Sequence, residues 1–90
     1  MPQAIVDPEE LQRFAQNLKQ FNEQLKQSTS RLNAQFSQLG STWQDQEHQK
    51  FAQEYQQTMK VISQFLRTSD EYIPFLLKKA QHAREYLNQR

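Results

Sequence analysis

Near the middle of the chain runs Leu39-Gly40-Ser41-Thr42-Trp43-Gln44-Asp45, a stretch that contains the only glycine and the only tryptophan. Long segments with helical periodicity lie on both sides, and Gly40 is the one strong helix breaker between Pro8 and Pro74. This pattern predicts an all-α fold in which two long antiparallel helices are joined by a tight turn at residues 40–44. Such a chain has few loops in which to build a catalytic site, so we expect its function on helix faces and at the turn.

The composition is that of one small domain with a limited core of its own. The 90 residues are 36% hydrophobic, carry a net charge of +1 and include no cysteine. Mixed charges do not form the basic patch typical of nucleic-acid binding, and no apolar run approaches the roughly 18 residues that span a membrane. The N-terminal residues lack the features of a cleavable signal peptide. We therefore expect no nucleic-acid partner, no membrane insertion, and a location in the cytoplasm or secretion without a cleavable signal peptide.

The first helix is predicted from about Pro8 to Leu39. Asp7 is a suitable N-cap, Pro8 suits the first helical position, and Glu10 stands three residues after the cap, as in a capping box. Gly40 is expected to end the helix. Leucines recur at every seventh position, and phenylalanines follow the first two of them after three residues: Leu11, Leu18, Leu25, Leu32, Leu39, Phe14 and Phe21.

The second helix is predicted over about residues 45–88. It contains Pro74, whose ring nitrogen cannot donate to the carbonyl of Asp70, so we expect a kink there. If the turn is centred near Thr42, Leu11 lies opposite residues 72–76. The segment that follows Pro74 would then lack an opposing helix, and it would pack on a partner, be covered by the Ala4-Ile5-Val6 arm, or fray.

The apolar stripes are wider than a seam between two helices requires, which favours a four-helix bundle. We therefore expect the hairpin to dimerise, either with a second copy or with a related hairpin protein. The positions predicted in the core or at the dimer interface are Leu11, Phe14, Leu18, Phe21, Leu25, Leu32, Phe51, Tyr55, Met59, Ile62 and Leu66.

The sequence offers no recognisable catalytic machinery. His48 and His82 are far apart and lack the convergent carboxylates of a metal site in a helical bundle. The serines and threonines at 28–30 and 41–42 have no histidine in matching register to activate them, and there is no Gly-rich phosphate loop. We expect no enzyme, no cofactor and no metal.

The residues around the turn resemble the WXG family of small bacterial helical hairpins, the substrates of type VII (ESX) secretion. The resemblance rests on the Pro8-Glu9-Glu10 opening, the heptads of the first helix, the central Trp43, and the aromatic residues Phe51 and Tyr55 that follow it. It covers nearly the whole chain. It implies a hairpin that is a type VII secretion substrate or the small dimerisation partner of a larger secreted effector, with the secretion ATPase as a further candidate partner.

Two positions depart from the family pattern. Asp45 stands two residues after Trp43, where the family has glycine; aspartate tolerates left-handed geometry and is a good N-cap, so the change fits the fold. Exported members often carry a tyrosine followed four residues later by an acid, whereas Tyr86 is followed at that spacing by Arg90. The second departure leaves open an intracellular helical adaptor that is not exported. Trp43 and Asp45 are the candidate turn and recognition residues.

Overall fold

The structure is a computed structural model that describes residues 6–88, and these form an antiparallel helical hairpin. Helix α1 spans Pro8–Leu39 and helix α2 spans Gln46–Asn88. The described residues contain no β-strand, and the molecule is a thin rod with extents of 67 × 24 × 15 Å. The predicted all-α hairpin is confirmed. Ala4 and Ile5 of the N-terminal arm, and Arg90, lie outside the described residues.

Helix α1 begins with a side-chain cap. One Asp7 carboxylate oxygen accepts hydrogen bonds from the amides of Glu9, at 3.0 Å, and Glu10, at 3.4 Å. Pro8 occupies the first turn, where its missing amide hydrogen costs nothing. The two glutamates lie at the positive end of the helix dipole and stabilise it further.

Helix α1 ends at Leu39, and its C-cap Gly40 is not in the left-handed conformation. Gly40 has φ −62° and ψ −19°, which is right-handed helical geometry. The amides of Thr42 and Trp43 still donate to the carbonyl of Leu39, at 3.0 and 2.9 Å, so helix-like hydrogen bonding continues into the turn. The chain therefore reverses later than Thr42.

The seam between the helices is built mainly from small side chains. The buried residues are Pro8, Ala15 and Asn22 on α1 and Ser69, Ile73 and Ala80 on α2. Small side chains in this layer allow two helix backbones to approach closely. The leucines Leu11, Leu18 and Leu25 are only half-buried, because they lie beside the seam and not within it.

The register of the hairpin corrects the expectation that the segment after Pro74 has no opposing helix. Arg84 donates a hydrogen bond to the side chain of Gln12, at 2.6 Å, and Ala80 is buried. Asn22 bonds to Ser69, seven residues beyond the Ile62 that a turn centred at Thr42 would place beside it. Because the chain reverses after Thr42, each residue of α1 lies opposite a later residue of α2 than expected. Helix α1 therefore covers most of α2. Helix α2 also continues through Pro74 without ending.

Candidate functional site

One side of the hairpin is apolar and open to solvent. The rings of Phe21 and Phe65 meet edge to face, 6.3 Å apart, which places one flank of α1 and one flank of α2 on the same side. We call this side the aromatic face; its large exposed residues are Phe14, Phe21, Leu32, Phe51, Phe65 and Tyr72. Phe14 is 58% exposed and Phe21 is 51% exposed, so the hairpin itself does not bury them.

Two further apolar side chains extend the aromatic face around the outer edge of α2. Phe75 packs edge to face against Tyr72, with the ring centres 6.0 Å apart. Val61, two heptads before Phe75, is 63% exposed. Residues fourteen apart lie on the same side of a helix, so both belong to one strip along α2.

An open groove of about 550 Å³ lies where the aromatic face reaches the turn. Both helices contribute to its walls: Leu32, Phe36 and Leu39 from α1, and Phe51, Tyr55 and Met59 from α2. Glu54 is the one charged side chain among the residues that line it. The groove is therefore suited to an apolar side chain presented by another helix.

The turn itself is held by stacked rings. Phe36 stacks on Tyr55, with centres 4.3 Å apart, and on His48, with centres 5.5 Å apart. Trp43 is half-buried; it meets the His48 ring edge to face at 5.0 Å and lies 6.3 Å from the ring of Phe51. These contacts fix Trp43 against the first turns of α2 and leave part of its side chain exposed.

Asp45 caps helix α2. Its carboxylate accepts a hydrogen bond from the amide of His48, at 3.0 Å, and its carbonyl accepts one from the amide of Gln49, at 3.3 Å. None of the described residues has positive φ, so a glycine at position 45 is not needed for backbone geometry. The aspartate instead satisfies an amide at the helix start that would otherwise lack a partner.

A polar cluster, buried at Asn22 and Ser69, crosses the seam near the middle of the hairpin. The side-chain amide of Asn22 donates to the hydroxyl of Ser69, at 2.7 Å, and to the carboxylate of Asp70, at 3.0 Å. Lys26 forms a salt bridge with the other Asp70 oxygen, at 2.8 Å. The hydrogen bonds from Lys26 and Asn22 lower the pKa of Asp70, and the bond to Asp70 raises the pKa of Lys26.

Sequence reasoning did not identify Asn22 and Ser69 as seam residues. The available signal was spacing, since Asn22 follows Pro8 and Ala15 at heptad intervals. Because its side chain is polar, however, Asn22 would be expected at the surface. Among the predicted positions, the structure groups Trp43, Phe51 and Tyr55 at the turn. The others are spread along the two helices, with Met59, Ile62 and Leu66 half-buried on α2.

Residues 6–88 contain no group of three or more side chains that could hold a metal ion. Within the same range, neither helix has an apolar stretch long enough to cross a membrane.

A family model, described as WXG100: Proteins of 100 residues with WXG, matches residues 3–86. Comparison with curated proteins gave no match, and comparison with solved structures gave none either.

Proposed function

Because the chain belongs to the WXG100 family, we propose that it is a non-enzymatic subunit of type VII secretion. In this role it is either a secreted substrate or the dimerisation partner of a larger secreted effector. Members of this family are small helical proteins of type VII secretion, and pairing between hairpins is common among them. The observation that carries the proposal for this chain is its uncovered aromatic face.

The aromatic face is too extensive for an isolated hairpin. Monomeric soluble proteins rarely expose one large contiguous apolar patch, and such patches commonly mark interaction sites. At about 1.5 Å per residue, α1 is about 48 Å long, and the exposed rings follow much of this length. A second helical hairpin is the partner whose shape and chemistry cover such a strip, because it buries the face in a four-helix bundle.

The pairing experiment compares two serine substitutions of exposed apolar residues. Phe21→Ser removes a ring from the centre of the aromatic face, whereas the control Leu87→Ser removes a similarly exposed side chain outside it. We expect Phe21→Ser to weaken dimerisation at least tenfold in sedimentation equilibrium, with little change for Leu87→Ser. Equal behaviour of the two variants would show that the aromatic face is not the interface.

We also propose that Trp43 forms one part of a recognition surface, at the turn of this hairpin. The other part is the C-terminal tail of a partner protein. Its half-buried ring supports this role, because part of the indole is free to contact another protein. The variant Trp43→Ala distinguishes recognition from a purely structural role, in which the ring only packs at the end of the bundle. If Trp43 acts in recognition, the melting curve is nearly unchanged and binding of the partner is lost. If the ring only packs there, the variant loses about 3–5 kcal/mol of stability.

Export is tested in the native host. Wild-type chain and Trp43→Ala are followed in the culture medium and in the cells, with and without the type VII secretion ATPase. The proposal expects wild-type chain in the medium only when the ATPase is present, and reduced export of Trp43→Ala. Retention of the wild-type chain in cells that export other type VII substrates would favour an intracellular adaptor, the alternative suggested by Arg90 four residues after Tyr86.

A further inference from the structure

We propose that the turn is a hinge: the chain can straighten there into one continuous helix and exchange α2 with a second copy. In the exchanged pair, α1 of each copy packs on α2 of the other and re-forms the same inner seam between two chains. The inference goes beyond the proposed function, because it concerns the seam and leaves the aromatic face open on each half of the pair. It rests on the backbone of the turn, the alignment of the buried residues and the register of the hairpin.

The backbone of the turn is close to helical. Gly40 has right-handed helical angles, and the amide of Trp43 still donates to the carbonyl of Leu39. Helix α2 begins at Gln46, and none of the described residues has positive φ. The reversal is therefore confined to residues 43–45. Hinges typically consist of a few residues of this kind at the ends of helices, which absorb the change in backbone angles.

The buried residues of the two helices lie on one side of the straightened chain. Asn22 and Ser69 are 47 residues apart, which is about 13 turns of a regular helix. Ala15 and Ala80 are likewise separated by close to a whole number of turns, about 18. Six buried residues fall within a sector of about 60° around the helix axis: Pro8, Ala15, Asn22, Ser69, Ile73 and Ala80. The heptads fix this alignment only within each helix, whereas alignment across the turn depends on the number of residues that join the helices.

The contacts of the hairpin also share one centre of symmetry, which lies between Asp45 and Gln46. In each contact, one residue precedes this point by as many positions as the other follows it. Three contacts have this property: Asn22 with Ser69, Phe36 with Tyr55, and Trp43 with His48. When two straightened copies cross antiparallel about a two-fold axis at this point, each of these residues comes level with its hairpin partner in the other copy.

Straightening changes a small number of hydrogen bonds. The amides at the start of α2 and the carbonyls at the end of α1 gain helical partners. The cap that Asp45 places on the amide of His48, at 3.0 Å, is released. The seam contacts that are lost within one chain are recovered between two chains, as in other domain-swapped pairs. The hairpin is therefore favoured at low protein concentration and the exchanged pair at high concentration.

The exchange is measured by energy transfer between two dyes on one chain. Gln16→Cys and Gln81→Cys carry the dyes on a cysteine-free background, and both positions are exposed beside one pocket at the open end of the hairpin. Within a straightened chain they are about 98 Å apart, so transfer is lost. Labelled chain is unfolded in urea and refolded with an excess of unlabelled chain, so that dyes on different chains do not contribute. We expect the fraction without transfer to rise with protein concentration.

Two cap variants separate straightening from general destabilisation. Asp45→Ala removes a cap that only the hairpin uses, whereas Asp7→Ala removes a cap at the start of α1 that both forms keep. Loss of a cap changes a helix equilibrium by about tenfold, and each exchanged pair contains two hinges. We therefore expect Asp45→Ala to raise the equilibrium constant of exchange about a hundredfold. Asp7→Ala should leave this constant near its wild-type value.

Gln46→Pro is expected to block the exchange. Gln46 is the first residue of α2 and follows its cap directly, as Pro8 does in α1, so a proline there costs the hairpin little. In a continuous helix the same proline lies in the interior, where it removes the hydrogen bond to the carbonyl of Thr42 and breaks the helix. Circular dichroism checks that this variant folds.

Small-angle scattering measures the exchanged pair without dyes. Its length should be about 120 Å, whereas the hairpin extends over 67 Å. The proposal is overturned if neither wild type nor Asp45→Ala loses transfer at any concentration, or if Asp7→Ala promotes exchange as strongly as Asp45→Ala. Exchange by Gln46→Pro at the wild-type level would also overturn it, because the chains would then exchange without forming a continuous helix.

Discussion

At the scale of single residues, the turn uses its one glycine in an ordinary conformation. Gly40 is right-handed helical, and a methyl group added to it would lie 3.5 Å from the Ser37 carbonyl oxygen and 3.9 Å from the His48 imidazole. These are normal contact distances, so neither backbone geometry nor space requires glycine here. A side chain at this position would instead restrict the unfolded chain.

Gly40→Ala is therefore expected to stabilise the protein by about 0.4–1 kcal/mol. Ala34→Gly, an exposed position inside α1, is the matched control and should destabilise it by about 1 kcal/mol. Urea unfolding at one fixed protein concentration measures both, because dimerisation makes stability depend on concentration. Destabilisation by Gly40→Ala would show that the turn needs a conformation other than the one described.

A second residue-scale prediction concerns Asp70 and Lys26. The pKa of Asp70 is lowered by its bonds from Lys26 and Asn22, so its contribution to stability is present above the ordinary carboxyl pKa and is lost as pH falls through the lowered value. Lys26 has a raised pKa, so its contribution is lost only when pH rises through that value. The pair is partly exposed, and salt should weaken it.

Asp70→Asn is expected to lower the urea midpoint at neutral pH, and its difference from wild type should shrink below about pH 4. Lys26→Gln should give a similar loss at neutral pH, and the double variant should lose less than the sum of the two. A strictly additive double variant would show that the two side chains do not stabilise the hairpin through each other.

At the scale of elements, the two prolines in the described helices differ in whether they remove a helical hydrogen bond. Pro8 is at the start of α1, where no hydrogen bond is lost, whereas Pro74 lies inside α2 and has no amide hydrogen to donate to the Asp70 carbonyl. Pro74→Ala should stabilise the protein by up to about 3 kcal/mol and increase its helical circular dichroism. Pro8→Ala should change stability far less. A loss of stability in Pro74→Ala would indicate that packing depends on a bend at this residue.

The helices could be predicted from the sequence because their signals are local. Caps, heptads and the isolated Gly40 each act over a few residues, and together they define the hairpin. Asn22 and Ser69 of the inner seam were not predicted, because heptad spacing does not say which of several adjacent rows faces the other helix. The large leucines and phenylalanines are the obvious core candidates in the sequence, but they lie beside the seam. The close contact between the two helices is formed by Ala15, Asn22 and Ser69.

The register was not predicted for a related reason. It depends on where the chain reverses, and helix-like hydrogen bonding through Trp43 moves that point beyond Thr42. The position of Trp43 beside His48 and Phe51 depends on the same reversal. Whether Trp43 and Asp45 act in recognition stays a prediction from the sequence.

At the scale of the whole molecule, the hairpin has too little interior to explain its apolar surface. Its fully buried hydrophobic residues are few and mostly small, whereas rings and leucines line the aromatic face. Pairing would move these side chains from water into a bundle core, which supplies the burial that a single hairpin lacks. The protein should therefore fold and dimerise together.

Sedimentation equilibrium of the purified wild-type chain at micromolar concentration tests this claim most directly, with Leu18→Glu as the comparison. The account predicts a mass of twice 10.8 kDa for the wild type. For Leu18→Glu it predicts dissociation with loss of most helical structure, because an unpaired carboxylate in the bundle core costs several kcal/mol. A wild-type chain that sediments as a compact monomer and unfolds cooperatively would contradict it.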